Sequence, residues 1–130
     1  MALTALIDEL SPERAASAIG KQMRHAGMAF AMNVPKILGV EVRDLETKAE
    51  IAAFGEAITG IESMRLASEP GTILKEYTKC PYIGQSPIMC LVHEVLQSAI
   101  CETLDPGLTA NILSSVNRGE ERCRIPISRK

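Results

Sequence analysis

The sequence predicts an α+β fold: a helical N-terminal half packed on an antiparallel sheet of about four strands, in the order helix, helix, hairpin, helix, hairpin. Three observations predict it. Apolar residues recur at helical spacing as far as Gly60. The pattern then shortens to loose alternation on either side of Glu69-Pro70-Gly71, which is turn chemistry. A third helical stripe follows, and behind it two more short runs flank Asn117-Arg118-Gly119-Glu120.

Each element has its own justification. Ser11-Pro12-Glu13 opens the first helix: serine caps, proline fits the first turn, and the acid favours the positive end of the dipole. Ile19, Met23, Ala26 and Phe30 form its stripe, and Pro35 is expected to stop it by about Asn33. The second helix starts at Asp44 or Thr47, with Thr47-x-x-Glu50 as a capping box. Its stripe is Ile51, Phe54, Ile58 and Ile61, and Gly60 ends it near Thr59. Met64–Ser68 and Thr72–Thr78 make the first hairpin. Ser86-Pro87 opens the third helix, whose expected core face is Ile88, Leu91, Val92, Val95, Leu96 and Ala99. Asp105-Pro106-Gly107 ends it. Leu108–Val116 and Glu121–Ile127 pair as the closing hairpin.

Composition bounds the function. The 130 residues are 46% hydrophobic and 23% charged, which predicts one globular domain over 1–130 able to hold a core without disulfides. A net charge of −2, from 14 basic and 16 acidic side chains, disfavours nucleic acid as a partner. Aromatics are only 3%, too few for a base-stacking platform. No apolar run reaches the roughly 20 residues that span a bilayer, so no membrane partner is expected. The N-terminus lacks a cationic start and carries Asp8 and Glu9, unlike a signal peptide. A cytoplasmic location, with reduced thiols, is the expectation.

The residues able to carry chemistry lie in the second half. Cys80 follows the second strand, Cys90 and Cys101 sit at opposite ends of the third helix, and Cys123 lies on the last strand. This topology lets Cys80, Cys90 and Cys123 meet at one end of the sheet. His93 and Glu94 share a helix face with Cys90. Two readings follow. Cys80, Cys90, His93 and Cys123 make a tetrahedral zinc set, although no compact C-x-x-C pair is present. Alternatively Cys90 is a nucleophile, its thiolate favoured by the helix N-terminus, with His93 as base and Glu76, Glu94 or Glu102 orienting the imidazole. Cys101 reads as a buried small hydrophobe, and His25, among Lys21 and Arg24, as surface. Arg118, Arg122, Arg124, Arg129 and Lys130 cluster near the C-terminus but interleave with Glu120 and Glu121, a solvated strand face in which Arg122 or Arg124 could still meet an anion. No G-x-S-x-G, H-E-x-x-H or P-loop motif is present.

Several short stretches carry a resemblance. Glu76-Tyr-Thr-Lys-Cys80-Pro81-Tyr82, Cys90-x-x-His93, Asp105-Pro106-Gly107 and Gly119-x-x-x-Cys123 together resemble the L-2-amino-thiazoline-4-carboxylic acid hydrolase-like family, over about 50 residues. The departures are His93 where that family tends to have aspartate, Arg124-Ile125 after the last cysteine, and the additional Cys101. The same order of elements resembles the 4-vinyl reductase domain and, through it, the transport-particle fold. That resemblance implies binding of a small hydrophobic molecule and, in some members, zinc held by cysteines and a glutamate. Gly119 and Cys123 match its closing hairpin, whereas Ile112 and Ser115 replace its Glu-x-x-Cys.

Two functions are therefore expected. One is a small hydrolase acting on a C–N bond of a cyclic amidine or thiazoline, with Cys90, His93 and Glu94 as catalytic residues. The other is a non-catalytic binding or sensor module with a structural Cys/His zinc site, its pocket lined by Met23, Met28, Met32, Met64 and Met89. The long apolar first helix predicts a homodimer.

Overall fold

The computed structural model describes residues 11–130, so the reading of Asp8 and Glu9 lies outside the described residues. Helix α1 spans Pro12–Leu38, α2 Leu45–Ile58 and α3 Ile88–Leu104. The strands are β1 Glu62–Leu66, β2 Ile73–Lys79, β3 Leu108–Ala110 and β4 Arg124–Arg129. They form one antiparallel sheet in the order β1-β2-β4-β3. The α+β class and the order of elements agree with the sequence.

The helix starts follow the expected chemistry. The Ser11 hydroxyl accepts the Arg14 N–H at 3.2 Å, and Asp44 caps α2 by accepting the Thr47 N–H at 2.8 Å. Thr47 thus serves the Asp44 cap and does not itself begin the helix. The end of α1 differs from expectation. Pro35 does not stop it at Asn33, and the helix continues to Leu38. Gly39 at φ 68° then ends it: its N–H meets the Lys36 carbonyl at 3.2 Å and the Val40 N–H meets the Pro35 carbonyl at 2.9 Å. Pro35 forgoes the bond its N–H would have given the Ala31 carbonyl, and the helix runs on for three more residues regardless.

Packing rotates two of the expected faces. On α2 the buried residues are Ala49, Ile51, Ala52, Gly55 and Glu56, while Phe54 and Ile58 are exposed. On α3 they are Met89, Val92, His93, Gln97, Ala99, Ile100 and Cys101, while Leu91 is exposed. Helix α1 crosses α3 at Gly27, where a Cβ would sit 2.7 Å from the Ala99 Cβ and 2.8 Å from the Leu96 carbonyl oxygen. The helices cover one sheet face through Ile73, Leu108, Ala110, Ile125 and Ile127.

The closing hairpin is also shorter than expected. β3 ends at Ala110, after which a single bridge joins Ser114 to Arg124 and a 3-10 turn covers Val116–Arg118. Beyond β3, the Glu94 carboxylate of α3 accepts the Ile112 backbone N–H. Among the described residues, no helix is long and apolar enough to cross a membrane.

Candidate functional site

β2 supplies the innermost part of the site. Alternation along the strand points Ile73, Lys75 and Tyr77 to the helix-covered side. Lys75 is 3% exposed, a position a lysine holds only with a partner. That partner is Glu56 on α2, itself 1% exposed, which accepts the Lys75 ammonium on Oε1 and the Tyr77 hydroxyl on Oε2. His93 on α3 completes the cluster. Its Nε2 lies 2.8 Å from the Tyr77 hydroxyl and 3.3 Å from Glu56 Oε2.

Burial pushes the Glu56 carboxyl up, but the His93 hydrogen bond, the charge and hydrogen bond of Lys75 and the Tyr77 hydroxyl outweigh it and hold the carboxyl below its ordinary value. The Tyr77 hydroxyl moves the other way. Burial and the adjacent Glu56 charge raise it far above the usual phenol range, so Tyr77 stays a proton donor to Glu56.

The other side of Tyr77 and His93 faces a small cavity. Cys80, Cys90 and Cys123 all line it, with Tyr82, Ile83 and Ile125 among the remaining walls. The three thiols expected at one end of the sheet therefore border one space. It offers about 20 Å³ to the centres of water-sized molecules, room for one or two waters. The turn between β2 and α3 forms the outer wall. Asn117 clips it shut, donating to the Tyr82 carbonyl at 2.6 Å and accepting the Gly84 N–H at 2.9 Å.

Each expected site residue has a definite place. Cys90 lies in the first turn of α3, with its thiol 3.3 Å from the Ser115 hydroxyl and 3.5 Å from the Asn117 amide. Cys123 accepts the Val116 N–H at 3.3 Å. Cys80 is partly buried, and desolvation raises its thiol above the ordinary value. His93 hydrogen-bonds to Tyr77 and Glu56, and not to Cys90. None of Glu76, Glu94 and Glu102 orients its ring. Glu76 pairs with Arg122 and Arg124, Glu94 with the Ile112 N–H, and Glu102 with Arg24 and Lys130. Among the described residues, no group of three or more His, Cys, Asp or Glu side chains is arranged to hold a metal ion. Cys101 is fully buried in the core, where desolvation pushes its thiol up to about 11.

The methionines do not line this cavity. Met89 is buried against Ile19 and Val92, while Met28, Met32 and Met64 are exposed. His25 lies on the surface, in a groove with Lys21 and Arg24.

No family model matches the sequence, and no curated protein does. Among solved structures, the chain is similar to the crystal structure of the phenol-responsive sensory domain of the transcription activator PoxR with phenol. The TM-score is 0.72 at 18% identity, over 98% of this chain and 70% of that chain. At that identity the likeness shows the fold alone. It supports the fold relationship implied by the 4-vinyl reductase resemblance, and none of these comparisons supports the thiazoline hydrolase family.

Proposed function

We propose that this chain is a small-molecule-binding sensory module, whose ligand is a compact, mostly apolar molecule held in the thiol-lined cavity. The observation that supports this reading is convergence. Side chains from β2, α3, the 3-10 turn and β4 border one space whose walls are chiefly apolar. The fold it shares with a phenol-responsive sensory domain favours the same reading. The hydrolase reading has less behind it, because Cys90 and His93 make no hydrogen bond to each other and His93 Nε2 is held by Glu56 and Tyr77.

The cavity as it stands is smaller than an aromatic ring, so binding opens the turn that Asn117 clips. Ligand-observed NMR with phenol and simple aromatic relatives tests the reading. We expect saturable binding to the wild type and its loss in Ser114→Trp, which fills the wall. Absence of binding, together with turnover of a thiazoline carboxylate that depends on Cys90, would instead restore the hydrolase. Metal content of untagged protein tests the zinc set Cys80, Cys90, His93 and Cys123. Sedimentation tests the homodimer, for which the exposed Met32, Ile37 and Leu38 of α1 provide apolar surface.

A further inference from the structure

The buried cluster decides which nitrogen of His93 carries a proton. The Tyr77 hydroxyl donates its proton to Glu56. What His93 Nε2 meets is therefore a phenol oxygen at 2.8 Å and a carboxylate oxygen at 3.3 Å, both acceptors. Nε2 must be the donor. Lys75 already neutralises Glu56, so a neutral imidazole leaves the cluster without net charge. In that tautomer Nδ1 is a bare lone pair.

Among the described residues, Nδ1 has no hydrogen-bond partner. It is not sealed in the core either: among the described residues, the one fully buried side-chain oxygen or nitrogen without a partner is Gln97 Oε1. His93 is a wall residue of the cavity. Most of the other polar wall groups are already engaged. Ser115 bonds Cys90, Ser114 donates to the Arg122 carbonyl, Asn117 holds the outer turn, and Arg124 pairs with Glu76.

We infer that His93 Nδ1 is the specificity-determining atom of the cavity, selecting a compact apolar molecule that carries one hydrogen-bond donor, O–H or N–H. Glu56 and Tyr77 are positioning residues that hold the accepting tautomer. This inference rests on the small-molecule reading above and sharpens it: an ether or ketone of the same size offers only acceptors, and two lone pairs would face each other.

The test pairs phenol with anisole, which keeps the ring and oxygen but has no donor. Titration calorimetry on the wild type should show phenol binding about tenfold more tightly, the worth of one hydrogen bond. His93→Phe should bind the two equally. Because that variant disturbs a buried cluster, the tautomer is also read directly, by long-range ¹⁵N–¹H NMR on the ligand-free wild type. We expect a proton-bearing nitrogen at Nε2 and a pyridine-type nitrogen at Nδ1. A proton on Nδ1, or anisole binding as well as phenol, overturns the inference and leaves the small-molecule reading standing. If neither compound binds, the small-molecule reading falls and this inference falls with it.

Discussion

Two carboxylates tie α2 and α3 to the sheet, and they do so in opposite surroundings. Glu56 lies in the core, with side-chain exposures of 2% for itself and 3% for Lys75. Asp105, at the end of α3, works at the rim. It accepts Lys48 of α2 at 3.0 Å, Arg129 of β4 at 2.6 Å and the Gly107 N–H at 2.9 Å. Both are held below their ordinary carboxylate range, Asp105 chiefly by the Gly107 N–H and then by its two cations. The contrast is in what their loss leaves behind. Water can replace the partners of Asp105, whereas removing Glu56 strands a buried ammonium and leaves the Tyr77 hydroxyl and His93 with only each other.

The largest break comes from Glu56→Ala, expected to cost about 3–5 kcal/mol in chemical denaturation because it leaves Lys75 an unpaired buried charge. A loss under 1 kcal/mol would mean that water reaches the cluster. Tyr77→Phe keeps the ring and removes one donor, so the same measurement should give about 1–3 kcal/mol. Acid sharpens the contrast further. Both carboxyls are depressed in the fold, so the stability they contribute is present above about pH 4.5 and is lost as pH falls through their lower folded values. Glu56→Gln should therefore flatten the acid limb of the stability profile. Asp105→Asn should have the smallest effect, a fraction of that of Glu56→Ala. It should shrink again in 1 M salt, where screening reaches about 3 Å, while the Glu56→Ala effect holds. Equal salt sensitivity in both variants would erase the distinction between rim and core.

The helix caps and stops were legible in the sequence, whereas the core cluster and the ion pairs of the rim were not. Ser11, Asp44 and the Asp105-Pro106-Gly107 stop are local signals, readable within four residues. Lys75 and His93 lie 19 and 37 positions from Glu56, and charged residues read by default as surface. One usable sign was present. Strand alternation places Lys75 between Ile73 and Tyr77 on the apolar face, which demands a buried acid somewhere. The convergence of Cys80, Cys90 and Cys123 was legible from topology, because it needs only strand ends and a helix start. The engagement of His93 with Glu56 was not, because the stripe read on α2 was turned away from Glu56 and placed the exposed Phe54 and Ile58 inward.

The strand order has a consequence for how the chain assembles. β4 comes last along the chain yet lies inside the sheet, between β2 and β3. During synthesis, residues 62–79 and 108–110 emerge without a common neighbour, and each shows an open edge until residues 124–129 leave the ribosome. The ladder is completed as an insertion, not an addition at the margin. Strand β4 also carries Arg129 to Asp105, so the arrival of one segment closes the sheet and the rim together.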